Sequence, residues 1–185
     1  MAERFMQNVL TPSVLEAQEH YYGRRAGIGS APERDPLTEE ERIFIEARDS
    51  FYMATITESG WPYIQHRGGH RGFLRVVSPT QLAFADYKGN RQMLSTGNLA
   101  ANDRVALFLM DYPRRERLKI LGHARVEDAR QHAELVAKLA EPEVHRLAER
   151  LFFIEVISFD WNCPKYITPR YTAAEVERAV EAAHC

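Results

Sequence analysis

From Phe51 onward, apolar and polar positions alternate with a period of two. FYMATITE and PYIQHRG, separated by a Ser59-Gly60 turn, predict a β-hairpin. Further strand patterns follow at GFLRVVS, at LAFADY after the turn SPTQ, and in the longer runs RVALFLMDY and RLKILGHARVE; LFFIEVISFDW supplies the last. Elsewhere the spacing is helical. TPSVLEAQEHYY predicts a helix over 11–22, and GRRAGIGSAPERDP then concentrates Gly, Pro and charge as an arm expected to pack on something else. TEEERIFIEARD places Thr38 and Glu41 in capping-box register, with Ile43, Phe44 and Ala47 at helical spacing. Short helices are expected at NRQMLSTGNLAAN, DARQHAELVAKLA and EVHRLAER, and TAAEVERAVEAAH closes the chain. Around six strands at hairpin-like spacing, with few helices between them, predict a mainly β fold with peripheral helices, an antiparallel barrel and not a βαβ sheet.

Composition narrows the function classes. With 185 residues, 45% of them hydrophobic, the chain suffices for one compact core. Lys and Arg number 24 against 26 Asp and Glu, so no global charge draws it to nucleic acid or an anionic membrane. The first residues lack an apolar segment of signal-peptide length and no later run is long enough for a membrane helix, which points to the cytoplasm. The only cysteines, Cys163 and Cys185, have no metal-type spacing.

Any positive site is therefore local. Between Ser59 and Ala85 no acidic residue occurs, yet His66, Arg67, His70, Arg71 and Arg75 fall there, with Lys88, Arg91 and the RRERLK run downstream. On a strand, Arg115, Arg117 and Lys119 would share one face. Such a concentration suits a phosphate, since guanidinium forks bind its oxygens and a helix amino terminus adds free N–H donors. DYKGNRQM meets the second condition, with Gly89-Asn90 turning into a helix whose first turn is expected to carry Arg91 and Gln92. Singly, each arginine is as well explained as a solvated surface charge. RGG followed by HRG resembles an RNA-binding box, but such boxes are repetitive and disordered, and this one lies between strands. His66 and His70 would converge on a metal only within a helix. No GxSxG elbow is present, and Cys163 reads as a buried thiol.

Strand, basic glycine loop, strand, and then YKGNRQMLSTGNLAANDRVALFLMDY together resemble the pyridoxamine 5′-phosphate oxidase-like family of FMN-binding split barrels. The resemblance is to the bacterial branch with an HRGG loop and a GNRQ-STGNL signature, and it runs from about Leu37 to Arg170. It implies a six-stranded antiparallel split β-barrel over 37–170, flanked by an N-terminal helix and arm (1–36) and a C-terminal helix (171–185). It further implies a homodimer with FMN at the subunit interface. Asn90, Arg91 and Gln92 stand where the family's strand-to-helix element holds the FMN phosphate, so Arg91 is the foremost cofactor-binding residue. Gln65 occupies the place of the family's strand arginine, and Arg67 is the nearest arginine on the same face. Alignment on Gly122 puts Arg117 near the flavin ring, and Trp161 and Arg170 match a later tryptophan–arginine pair. Ser95, Thr96 and Asn98 would bond the ribityl chain or phosphate, or else cap the helix. The family's Tyr, Arg and Ser substrate trio has no counterpart in DARQHAELVAKLA, and Lys165-Tyr166-Ile167 replaces the C-terminal Arg-Leu-His element. The implied activity is hydride transfer between FMN and a small organic substrate other than pyridoxamine phosphate. No catalytic acid or base, and no metal site, stands out. The alternatives are a flavin-binding carrier or sensor without turnover, or the same fold holding haem or deazaflavin, with His66 and His70 the feature favouring haem.

Overall fold

The computed structural model describes residues 3–27, 29–161 and 164–183. Cys163 and Cys185, and with them the expected buried thiol, lie outside the described residues. Among the described residues no helix is long and apolar enough to cross a membrane.

Seven strands form one antiparallel sheet: β1 (Ser50–Ile56), β2 (Pro62–Gly68), β3 (Arg75–Ser78), β4 (Gln81–Tyr87), β5 (Arg104–Asp111), β6 (Glu116–Asp128) and β7 (Ala148–Trp161). Their spatial order is β2-β1-β5-β6-β7-β4-β3. Every quoted strand pattern forms a strand, so the count is seven where around six were expected; β3, within GFLRVVS, is short and pairs only with β4. β2 and β3 are the two edges and do not pair, so backbone hydrogen bonds do not close the sheet into a barrel. The sheet nevertheless folds back on itself: Phe51 of β1 meets Phe84 of β4 edge to face, with 5.4 Å between ring centroids.

Alternation dictates which face each strand buries. In β5, Val105, Leu107 and Leu109 point inward, as do Leu118 and Ile120 of β6. They join Phe51, Met53, Phe73, Leu82, Phe84, Phe152 and Ile154 in the main core. β4 and β7 read as near-continuous apolar runs because both their faces are covered. Ala83, Ala85, Leu151 and Phe153 turn outward against Val136 and Leu139 of a helix, α5 in the numbering below.

The helices are α1 (Glu3–Val9), α2 (Pro12–Tyr22), α3 (Glu39–Glu46), α4 (Leu94–Ala101), α5 (Ala133–Leu139) and α6 (Ala173–Ala183). α1 is an element the sequence pattern did not reveal. EVHRLAER forms a 3₁₀ turn over Pro142–Leu147 and then enters β7. The arm packs on this chain's own last strand. Phe5 and Leu10 are buried, Asp35 N–H donates to the Ile157 carbonyl at 3.0 Å, and Arg34 pairs with Glu155 at 3.1 Å.

The predicted capping box opens α3. Thr38 N–H and Oγ1 donate to Glu41 Oε2 at 2.9 and 2.6 Å, while Glu40 N–H donates to Thr38 Oγ1. The other Glu41 oxygen accepts from Trp161 Nε1 at 2.8 Å, which ties α3 to the end of β7. Burial pushes the Glu41 carboxyl up, but the hydrogen bonds from Thr38 and Trp161 outweigh it and leave the group below the ordinary glutamate range. A carboxylate depressed in the folded state adds stability above its unfolded pKa, and that stability disappears as pH falls through the folded value. Thr38→Ala is expected to lower stability by about 1 kcal/mol at neutral pH. The deficit should shrink in acid, where Glu41 is protonated in both proteins; urea titrations at the two pH values read the difference.

Candidate functional site

A cleft lies where β2, the β4–α4 connection and the start of β7 meet. Tyr63, Gln65 and Arg67 alternate along β2 and line one wall; Gly89 to Thr96 form the other, with Asp86 and Arg150 at the base. Its cavity volume is about 70 Å³, and it opens to solvent.

Arg67 is the central cation. Its guanidinium carbon sits 5.0 Å from the Phe152 ring centroid and 5.8 Å from that of Phe84. That stacking fixes a long side chain which would otherwise sample many rotamers. Nη1 donates to Asp86 Oδ1 at 2.5 Å. Nε is buried and has no hydrogen-bond partner among the described residues. Burial holds this guanidinium below the usual arginine range, and the nearby Asp86 carboxylate offsets part of that loss. Arg150 on β7 donates from Nε to the other Asp86 oxygen at 2.8 Å. Sequence reasoning missed Arg150 because it lies in EVHRLAER, which read as a helix. Its pairing opposite Asp86 in the β4–β7 register is invisible until β7 is known to begin at Ala148.

The β4–α4 connection departs from expectation in an informative way. The helix begins at Leu94, so Arg91 and Gln92 precede it instead of forming its first turn. Asn90 Oδ1 accepts from Gln92 N–H at 3.1 Å, a local turn that competes with helix, and Arg91 and Met93 both take left-handed backbone angles (φ 62° and 57°). Two such non-glycine residues in one short loop store strain, a feature typical of ligand-holding segments. No side chain caps α4, so the amide groups of Leu94, Ser95 and Thr96 have no intrahelical acceptor at the cleft wall. Buried Ser95 donates from Oγ to Gln65 Oε1 at 2.8 Å, joining the two walls. Asn98, by contrast, donates to Thr55 Oγ1 at 2.9 Å and serves to seat the helix on β1.

Of the residues singled out from sequence, the fold thus gathers Gln65, Arg67, Asn90, Arg91, Gln92, Ser95 and Thr96 around the cleft. Arg117, Trp161 and Arg170 lie outside this cleft in the same chain. Arg117 sits on β6 opposite Met110, its Nε buried without a hydrogen-bond partner among the described residues. Arg115 is not on the strand with it but in the preceding turn, with φ 58°. Trp161 packs edge to face on Phe44, and the Arg170 guanidinium lies 5.0 Å from the Tyr112 ring centroid. His66 and His70 do not converge: His66 meets the Tyr52 ring edge to face, and His70 Nε2 lies 3.2 Å from a Glu141 oxygen. Among the described residues no group of three or more potential metal ligands is present.

Three guanidiniums against one carboxylate, with the first-turn amides of α4 beside them, give the cleft a surplus of positive charge and hydrogen-bond donors, and partial burial strengthens the hydrogen bonds made there. The fold around it has solved counterparts. HupZ of Group A Streptococcus superposes with a TM-score of 0.52 at 12% identity, covering 73% of this chain and 99% of that one. A candidate pyridoxamine 5′-phosphate oxidase from Lactobacillus delbrueckii gives 0.51 at 20% identity, over 68% and 94%. General Stress Protein 26 from Bacillus anthracis gives 0.50 at 14%, over 64% and 88%. At these identities the likeness is one of fold. No curated protein matches the chain in sequence. The family model for pyridoxamine 5′-phosphate oxidase matches residues 37–154. The span begins just before α3 and runs into β7, taking in every cleft residue named above, and the chain belongs to the pyridoxamine 5′-phosphate oxidase-like FMN-binding family.

Proposed function

We propose that the cleft binds FMN through its phosphate and that the protein is an FMN-dependent oxidoreductase acting on a small organic molecule. The observation that carries this reading is the convergence of Arg67, Arg91 and the uncapped start of α4 on one cleft. A mononucleotide phosphate matches that donor set: the buried, partnerless Nε of Arg67 and the open amides of the first helical turn each lack an acceptor that its oxygens supply. When bound, the flavin supplies two-electron chemistry with the substrate. The chain's part is to hold the phosphate and to orient the cofactor through Gln65, Ser95 and the Asn90–Gln92 loop.

A second copy of the chain completes the site in this proposal. On the outward face of β2, β1 and β5, Tyr52 lies opposite Phe108 and Ile64 sits diagonally beside it, opposite Ala54, with Ile64 63% and Tyr52 38% exposed. Arg117 follows Phe108 and Met110 onto the same face by strand register, and Arg170 lines a depression there with Tyr52. From that face both arginines would serve the partner's cleft and not their own, with Arg117 beside the electron-rich edge of the ring.

The absent Tyr, Arg and Ser trio in α5 favours one rival, a flavin carrier or sensor without turnover. The absorbance spectrum of the purified protein after addition of FMN tests the assignment. Bands in the blue and near-ultraviolet that stay with the protein through gel filtration are expected; a single intense Soret band would mean haem. Arg91→Ala is expected to weaken FMN binding by about 1.5–3 kcal/mol, roughly 10- to 150-fold, through loss of a charge-assisted phosphate contact. Full flavin retention in that variant would place the phosphate elsewhere.

A further inference from the structure

We infer that Asp86 is an internal counterion of the cleft: it holds Arg67 and Arg150 together in the ligand-free protein and yields both guanidiniums to a bound phosphate dianion. The inference rests on the reading of the cleft as a phosphate site, but not on the phosphate being that of a flavin.

Each Asp86 oxygen serves one arginine, Oδ1 taking Arg67 Nη1 and Oδ2 taking Arg150 Nε. All three side chains are largely withdrawn from water, with 14%, 11% and 16% exposure for Asp86, Arg67 and Arg150. One carboxylate facing two partly buried guanidiniums neutralises half of their charge. Buried charges are stable only when paired, and the two arginines repel each other across a poorly screened gap. Burial, and after it the Arg150 charge among smaller effects, depresses the Arg67 guanidinium, whereas Asp86 supports it. Glu149 takes one Arg150 nitrogen at 3.0 Å, but it stands 38% exposed outside the cleft lining. Asp86 is the only carboxylate among the described lining residues, and Arg67 Nε remains an unused buried donor. With Arg91 also in the lining, three guanidiniums face one carboxylate, an excess of two positive charges that a phosphate dianion matches while meeting repulsion from Asp86.

The geometry gives the carboxylate a second consequence. β2 and β4 stand first and sixth in the sheet order, so the Arg67–Asp86 bond bridges two strands that share no backbone ladder. Before ligand arrives, Asp86 keeps the cleft walls together.

Asp86→Asn separates these roles, since it keeps shape and removes charge. Without ligand, the variant is expected to unfold at a lower thermal midpoint, by on the order of 5 °C. Inorganic phosphate should then raise its midpoint at least twice as far as it raises that of the unaltered protein. Phosphate, and FMN if it binds, should associate about tenfold more tightly, because one like charge is gone. Weaker or unchanged phosphate binding in the variant overturns the inference; unchanged binding of FMN by both proteins does so while leaving the flavin assignment intact. A phosphate response of the expected size with no FMN binding by either protein supports the counterion and removes the flavin. Should Asp86→Asn fail to fold, Arg150→Gln is the second arm. It leaves Asp86 neutralised by Arg67 alone, so phosphate affinity should fall about tenfold with folding retained; an unaltered affinity there overturns the inference.

Discussion

Phe152→Ala is expected to lower the free energy of unfolding by about 3–5 kcal/mol, a large share of the 5–15 kcal/mol typical of a domain. Phe152 is fully buried in the main core and stacks on Phe84 with 4.8 Å between ring centroids. The surrounding strands, hydrogen-bonded on both sides, cannot collapse into the space left behind. The same ring is the surface on which Arg67 rests, so the variant should lose phosphate affinity as well as stability. Urea denaturation followed by tryptophan fluorescence measures the first effect, and anion titration of the folded fraction the second. A loss under about 1 kcal/mol would mean that the core repacks freely and that the support beneath Arg67 is not rigid.

Gly122→Ala is the second large effect, expected near 3 kcal/mol, the upper part of the range for overpacking. At Gly122 the pairing between β6 and β7 shifts register, with Leu121 opposite Ser158 but Gly122 opposite Val156, so Ile157 is an extra residue. The distortion presses β7 onto β6. A methyl group at position 122 would fall well inside van der Waals contact of the Glu155 carbonyl oxygen and 3.1 Å from Ile154 Cγ2. A backbone carbonyl inside a ladder cannot swing aside as a side-chain tip would. Gly122→Ala should therefore shift the urea midpoint strongly, whereas Gly97→Ala, where nothing lies within 4 Å of the added methyl, should not.

Periodicity made most of the fold legible. Alternation in residues 51–67 and 104–121 located β1, β2, β5 and β6, because each buries one face only. The boundary errors have one cause, in that local signals lose to tertiary pairing. Ala148–Arg150 has good helix formers yet joins β7, since Asp86 and Tyr87 of β4 wait opposite with unpaired backbone groups. Arg91 and Gln92 were legible as site residues but not as loop, because an Asn90 turn and two left-handed residues leave no periodic trace. Arg67 could be guessed from β2 alone. Its partners Asp86 and Arg150, 19 and 83 positions further along the chain, could not, since no spacing rule connects strands that only the final sheet order brings together.

That sheet order also sets the moment at which the protein can first hold anything. The cleft takes its walls from residues 63–67 and 86–96 and its base from Arg150, and Arg67 rests on the buried Phe152 ring. A ribosome that has released only the first five strands has made nearly every donor but no receptacle. Capture of a ligand therefore waits for β7, and because only the sheet with β7 in place offers the binding surface, occupancy draws partly assembled forms toward completion by mass action.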